Sequence, residues 1–246
     1  MAMYQFGLRG QTVTLPDSFL AWSGVILFGI LQATVYFFVY KGFGKGQVGL
    51  LSPVFASFSG FVAVVSIVIL GELVTGSLLL GLAILFAGIL LINVDIKALR
   101  SRRLRFAQIP GFKEVGFATV LAILWTLFWD QFVGGKDWLV YTFYMYASMT
   151  VAIFIIAIAT RINLFVVTPK IWKFLFLIGL TEVGAYLAIT WGYGATTRTS
   201  VVALLSGAFS LPTIILARLF LKERITAIQT IGSLVIIIGI MLLSVA

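Results

Sequence analysis

Charged residues cut this chain into long apolar runs, and most of the runs share one length. Ser18–Tyr40, Val48–Gly71 and Leu73–Val94 follow one another, with Lys41, Lys45 and Glu72 marking the joins. Trp138–Thr160, Phe174–Tyr193, Thr199–Leu221 and Ile225–Ala246 repeat the pattern in the second half, and Val115–Trp129 makes a shorter run. A helix needs ~20 apolar residues to cross a hydrocarbon core of ~30 Å, and these runs match that length. Membrane barrel strands would show alternation of period two, which is absent. The pattern predicts an all-α integral membrane protein of about eight transmembrane helices, with the lipid bilayer as its first partner.

Composition removes the main alternatives. Hydrophobic residues make up 61% of the 246 positions and charged residues 10%, at a mean hydropathy of +1.15. A soluble domain carries about 25% charged residues, too many to match this exterior. The chain has no cysteine and no histidine, which removes disulfides, Cys/His zinc sites and any imidazole base. No metal and no cofactor is expected. The net charge of +9 sits between spans, where membrane topology accounts for it and nucleic acid need not. The first 17 residues lack the basic start and compact apolar core of a secretory signal.

The basic residues also predict orientation. Numbering the loops alternately puts Lys41, Lys45, Lys97, Arg100, Arg102, Arg103, Arg105, Lys113, Arg161, Lys170, Lys173, Lys222 and Arg224 on one side. Arg9, Lys136 and Arg198 fall on the other, and Arg218 snorkels from the seventh span toward the basic side. That bias predicts a cytoplasmic linker over 95–114 and both termini outside, in a multi-pass protein of the plasma (or inner) membrane.

The chain also matches itself. Gln32-x3-Tyr36-x5-Gly42-x-Gly44 returns as Glu182-x3-Tyr186-x5-Gly192-x-Gly194 at an offset of 150 residues. Glu72-x2-Thr75-x5-Gly81-x6-Gly88 returns as Glu223-x2-Thr226-x5-Gly232-x6-Gly239 at an offset of 151. Spans one to three therefore correspond to spans six to eight. An odd number of crossings separates each pair, so the copies run in opposite directions. This is an inverted-topology repeat, the plan of many secondary transporters. The second copy has two helices ahead of its matched part, where the first copy has only residues 1–17. The expected division is a truncated three-helix repeat over 18–94, a basic linker over 95–114 and a five-helix repeat over 115–246. Met1–Arg9 reads as the tail of a missing second helix.

Ser200–Pro212, the Leu-Lys-Glu-Arg-Ile run at Leu221–Ile225 and Ile231–Gly239 resemble the end of an EamA-type repeat. Val48–Pro53, Leu70–Glu72 and the Gly81 to Gly88 stretch make a looser copy. EamA repeats belong to the drug/metabolite transporter superfamily. The resemblance implies ten helices in two five-helix halves, a central cavity and transport of small organic solutes. The chain departs from it in the missing helix pair, and Pro53 lies eight residues before the position matching Pro212.

Candidate site residues follow from depth and repeat position. Glu182 lies mid-span, where an acid costs ~3 kcal/mol to insert, so it should face a cavity or a partner. It is a candidate for a substrate cation or a proton, or else a buried acid bonded to a neighbouring helix. Gln32 matches it but cannot titrate. Tyr36 and Tyr186 fall one turn further on and read as cavity lining or as ordinary buried rings. Gly81, Gly88, Gly232 and Gly239 recur at seven-residue spacing, which suits close helix packing. Glu72 and Glu223 mark junctions ahead of the N-cap candidates Thr75 and Thr226, with a gating role as the alternative. Trp125, Trp129, Asp130, Trp138, Tyr141 and Tyr144 read as an interfacial aromatic belt, with a cation-binding box of Trp129 and Asp130 as the alternative. Gly42, Gly44 and Gly46 follow no strand, so they make no nucleotide loop.

The expected function is alternating-access transport of a small-molecule solute, with proton-coupled export as the economical form. The alternatives are a partial bundle that needs a partner, and an intramembrane enzyme, which would need more convergent acids and bases than these. The apolar faces also leave room for a homodimer.

Overall fold

The computed structural model describes residues 15–46, 48–93, 109–162, 168–209, 211, 212, 215 and 226–244. Among them the helices are α1 (Phe19–Lys45), α2 (Val48–Ala56), α3 (Phe58–Val68), α4 (Gly76–Asn93), α5 (Phe112–Val133), α6 (Trp138–Ala159), α7 (Pro169–Ala195), α8 (Thr199–Gly207) and α9 (Ala227–Ser244). The protein is an all-helical membrane protein. Helices α1, α5, α6 and α7 are each long and apolar enough to cross a bilayer, and α4 and α9 are shorter apolar helices. Arg218, Glu223 and residues 94–108 of the basic linker lie outside the described residues.

Short polar side chains start these helices. Ser18 Oγ accepts the Ala21 N–H at 3.1 Å to begin α1, and Thr75 Oγ1 accepts the Leu78 N–H at 3.2 Å to begin α4. Asp137 caps α6 through the N–H groups of Leu139 and Val140, at 3.0 and 3.3 Å. Thr226 and Gln229 exchange bonds at the start of α9, Thr226 Oγ1 taking the Gln229 N–H at 3.3 Å and Gln229 Oε1 the Thr226 N–H at 3.0 Å.

Several expected spans have different bounds: α7 runs from Pro169 to Ala195 rather than over Phe174–Tyr193, and α8 ends at Gly207 within the expected run Thr199–Leu221. α1 does not stop at Tyr40 but runs on through Lys41 to Lys45, because cations suit a helix C-terminus and long side chains can lean out of lipid. α5 is 22 residues, not a short span of 115–129, since Lys113, Glu114 and Asp130 lie within its end turns. The run Val48–Gly71 is two helices rather than one. Pro53 brings no N–H, and at the Ser57 junction the hydroxyl bonds back to the Val54 carbonyl at 2.6 Å.

The chain forms two compact units, and the division falls within α1 and α5. One comprises Met1–Thr34 and Trp129–Ala195. In it the start of α1 lies against α6 so closely that a Cβ on Gly29 would stand 2.7 Å from the Met149 nitrogen. Trp22 packs edge-on against Tyr144 at 5.0 Å. Along α7, every described side chain from Ile171 to Thr181 is exposed. The face includes Trp172, Phe174, Phe176 and Leu180, an arrangement that lipid tolerates and water would not.

The other unit comprises Val35–Phe128 and Thr196–Ala246. Its core is built on α4 and α9, with Leu78, Leu82, Leu85, Ile89, Leu204 and Ile236 buried together. α4 and α9 run antiparallel and meet through glycines. A Cβ on Gly88 would lie 2.7 Å from the Ile236 nitrogen, and one on Gly239 would lie 2.7 Å from Leu85 Cα. A Cβ on Gly81 would lie 3.0 Å from Leu243 Cδ2, and one on Gly232 would lie 2.8 Å from the Ile92 nitrogen. Shifting either residue of one contact by the 151-residue repeat offset gives its counterpart: Gly88 with Ile236 becomes Gly239 with Leu85. The two copies thus make the same contact twice, as a two-fold relation requires.

Candidate functional site

α7 carries an acid at its centre. Glu182 is thirteen residues from each end of the helix Pro169–Ala195, about 20 Å of helix in either direction. Its side chain is half-buried, and among the described residues its carboxylate takes part in no hydrogen bond. One turn further along the same face is Tyr186. The Gln32 side-chain amide, 4% exposed on α1, donates to the Tyr186 hydroxyl. Gln32 and Tyr186 are therefore brought together, and Glu182 stands on the turn beside them.

A third helix supplies a residue that the sequence left unmarked. Tyr146 of α6 stands edge-on to Tyr186, with ring centroids 5.6 Å apart at 86°. Its hydroxyl points to the backbone carbonyl of Glu182 at 3.4 Å. The cluster thus combines one carboxylate, one amide and two phenols within otherwise apolar helices. That set can bind a proton or an organic cation, and it offers hydroxyl donors to a polar solute. Tyr146 lies outside both blocks in which the chain matches itself, so the repeat does not mark it.

Tyr36 lies in the other unit, half-buried and stacked on Tyr40 at 6.2 Å. Trp129 and Asp130 have a different setting from the one expected. Trp129 is completely buried, with its ring 5.2 Å from Phe28 and 5.9 Å from Phe132. Its indole N–H points to Thr190 Oγ1 at 3.4 Å. Trp125 and Tyr141 are buried as well, so these three rings are packing, while Trp138 and Tyr144 of the expected belt are half-buried. The reason is the length of α5, which carries Trp125 and Trp129 inside the helix instead of at a loop. The faces of Phe132 and Tyr141 already hold a cation of the chain itself, Lys136 Nζ, at 4.5 and 5.8 Å. Asp130 is half-buried and acts electrostatically on the buried Tyr193.

Glu72 is half-buried and paired. Its carboxylate accepts the Ser200 N–H at 3.0 Å and the Ser200 hydroxyl, and so caps α8 from 128 residues away. At the opposite end of α1, Lys45 pairs with Glu114 in the first turn of α5. Gly42 is buried where a Cβ would stand 3.0 Å from the Gly111 carbonyl oxygen, so it serves close packing. Among the described residues no three acids converge in a way that would hold a metal ion.

The model of the EamA-like transporter family matches residues 2–94 and 114–245. No curated protein matches the chain.

Proposed function

The chain belongs to the EamA-like transporter family, whose members are membrane transporters of small solutes, and on that premise we propose alternating-access transport centred on Glu182, Gln32, Tyr186 and Tyr146. The bond between Gln32 and Tyr186 carries the proposal, because it joins matched helices of the two repeats beside a mid-membrane acid. An acid at that depth is costly, ~2.5–3.5 kcal/mol on insertion scales, and is retained where it does work. Glu182 takes a proton or a cationic solute when the site opens to one side and releases it when the site opens to the other. Gln32 orients Tyr186 without itself titrating, so the charge change resides in the second repeat. The economical form is proton-coupled export of a small organic solute across the plasma or inner membrane.

The test is transport in proteoliposomes with a panel of amines, amino acids and sugars, comparing the parent with Glu182→Gln across a pH series. The parent should accumulate its solute against a gradient when protons are supplied. Glu182→Gln should keep only slow exchange and lose the pH dependence. An unchanged pH profile in the variant would remove Glu182 from the coupling step.

A further inference from the structure

The start of α1 and the end of α5 flank an open pocket of about 740 Å³, within the ~300–1,000 Å³ range of small-ligand sites. Its lining includes one acid, Asp17, and one base, Lys136. Among the described residues the two do not pair with each other; the ion pair formed is Lys45–Glu114. Both side chains are exposed. Asp17 lies between the buried Pro16 and Ser18, the residue that caps α1. Lys136 Nζ donates to the Phe132 carbonyl and lies 4.5 Å above the Phe132 ring, which leaves two of its three N–H groups for another acceptor.

The wall below these charges is apolar and open. Leu20 and Leu27 line the cavity and remain 77% and 55% exposed. They are two turns apart on one face of α1, about 10 Å along the helix. In a chain that crosses a bilayer, such a track faces hydrocarbon. The pocket is therefore lined by one positive and one negative group together with a lipid-facing track of leucines.

We propose that this cavity binds one zwitterionic phospholipid with a primary ammonium headgroup. The phosphate rests on Lys136, the ammonium on Asp17, and the upper part of an acyl chain on Leu20 and Leu27. Phosphatidylglycerol brings the same phosphate but a neutral glycerol in place of the ammonium, so Asp17 gains no countercharge. A choline headgroup keeps the charges but has no N–H to donate. The order of preference is phosphatidylethanolamine, then phosphatidylcholine, then phosphatidylglycerol. A free zwitterion shares the headgroup chemistry, but it has no use for the exposed leucines.

Native mass spectrometry of the full chain in micelles, titrated with those three lipids, tests the proposal. One phosphatidylethanolamine should be retained, roughly tenfold over phosphatidylglycerol. Asp17→Asn should abolish that preference, Lys136→Gln should weaken retention of all three, and Lys136→Arg should preserve it. Equal retention of the three lipids by the parent overturns the proposal without any variant. So does parent-like selectivity in both Asp17→Asn and Lys136→Gln. Displacement of the lipid by equimolar O-phosphoethanolamine would assign the cavity to a soluble zwitterion and overturn the lipid assignment.

Discussion

Gly88→Ala should destabilise the protein through a clash that the side chains around it cannot relieve. The added Cβ would lie 2.7 Å from the Ile236 nitrogen, 2.8 Å from Ile236 Cγ1 and 3.0 Å from the Gly232 carbonyl oxygen. Carbon contacts are comfortable from about 3.5 Å, so α4 and α9 must separate by roughly 0.7 Å. Two of the three atoms are backbone, and neither can swing aside. Overpacking of this kind costs ~1–3 kcal/mol. Alanine also gains up to ~1 kcal/mol in helix propensity, so a matched control is needed. Gly116 on α5 provides it, since a Cβ there meets nothing within 4 Å. The difference between Gly88→Ala and Gly116→Ala isolates the packing cost. At roughly 2–4 °C per kcal/mol for a chain of this size, Gly88→Ala should melt about 2–12 °C below Gly116→Ala. Thermal unfolding of both variants in one detergent, followed by tryptophan fluorescence, measures this. If the two melt together, the crossing of α4 and α9 is looser than the structure has it.

Gly239→Ala makes the mirrored clash with Leu85 at 2.7 Å and should cost the same as Gly88→Ala to within about 0.5 kcal/mol in the same melting assay. Glu72→Ala removes the cap of α8 and should cost about 1–2 kcal/mol, with faster hydrogen exchange at the amides of Ser200 and Val201 as its local signature. Tyr186→Phe leaves the buried Gln32 amide without its phenol acceptor and should cost about 1–3 kcal/mol of thermal stability. Adding Gln32→Leu should recover most of that loss, and no recovery would mean that the bond contributes little.

Span number and type are legible in the sequence because lipid imposes a length, and no soluble arrangement can hide so many uncharged residues. Span ends are less legible, because a charged side chain near a helix terminus reaches water without ending the helix. That is why α1 continues through Lys41 and Lys45 and α5 includes Asp130. Thr75 and Thr226 could be read as caps, since a cap and its helix are neighbours in the chain. The partner of Glu72 could not, because Ser200 becomes its neighbour only after folding. The same holds for the aromatic residues around Trp129. Composition alone cannot distinguish an interfacial ring from a core ring, and burial against Phe28 and Phe132 decides it. In the candidate site, Gln32, Glu182 and Tyr186 are visible through the repeat, whereas Tyr146 lies outside the blocks that match.

Duplication acts differently on scaffold and on chemistry in this chain. At the α4–α9 crossing each glycine makes one half of a contact whose other half is its own image, so both copies face the same steric demand. Neither can acquire a side chain without separating the pair. Position 32 and its image 182 face no such shared demand, and there one copy holds an amide and the other an acid. An acid in both copies would put two like charges in the membrane, at twice the insertion cost and with mutual repulsion. One acid and one amide avoid that repulsion and leave a single titratable site. On the proposed mechanism, each cycle then moves at most one proton through this cluster, so a measured coupling ratio above one would require a second acid outside it.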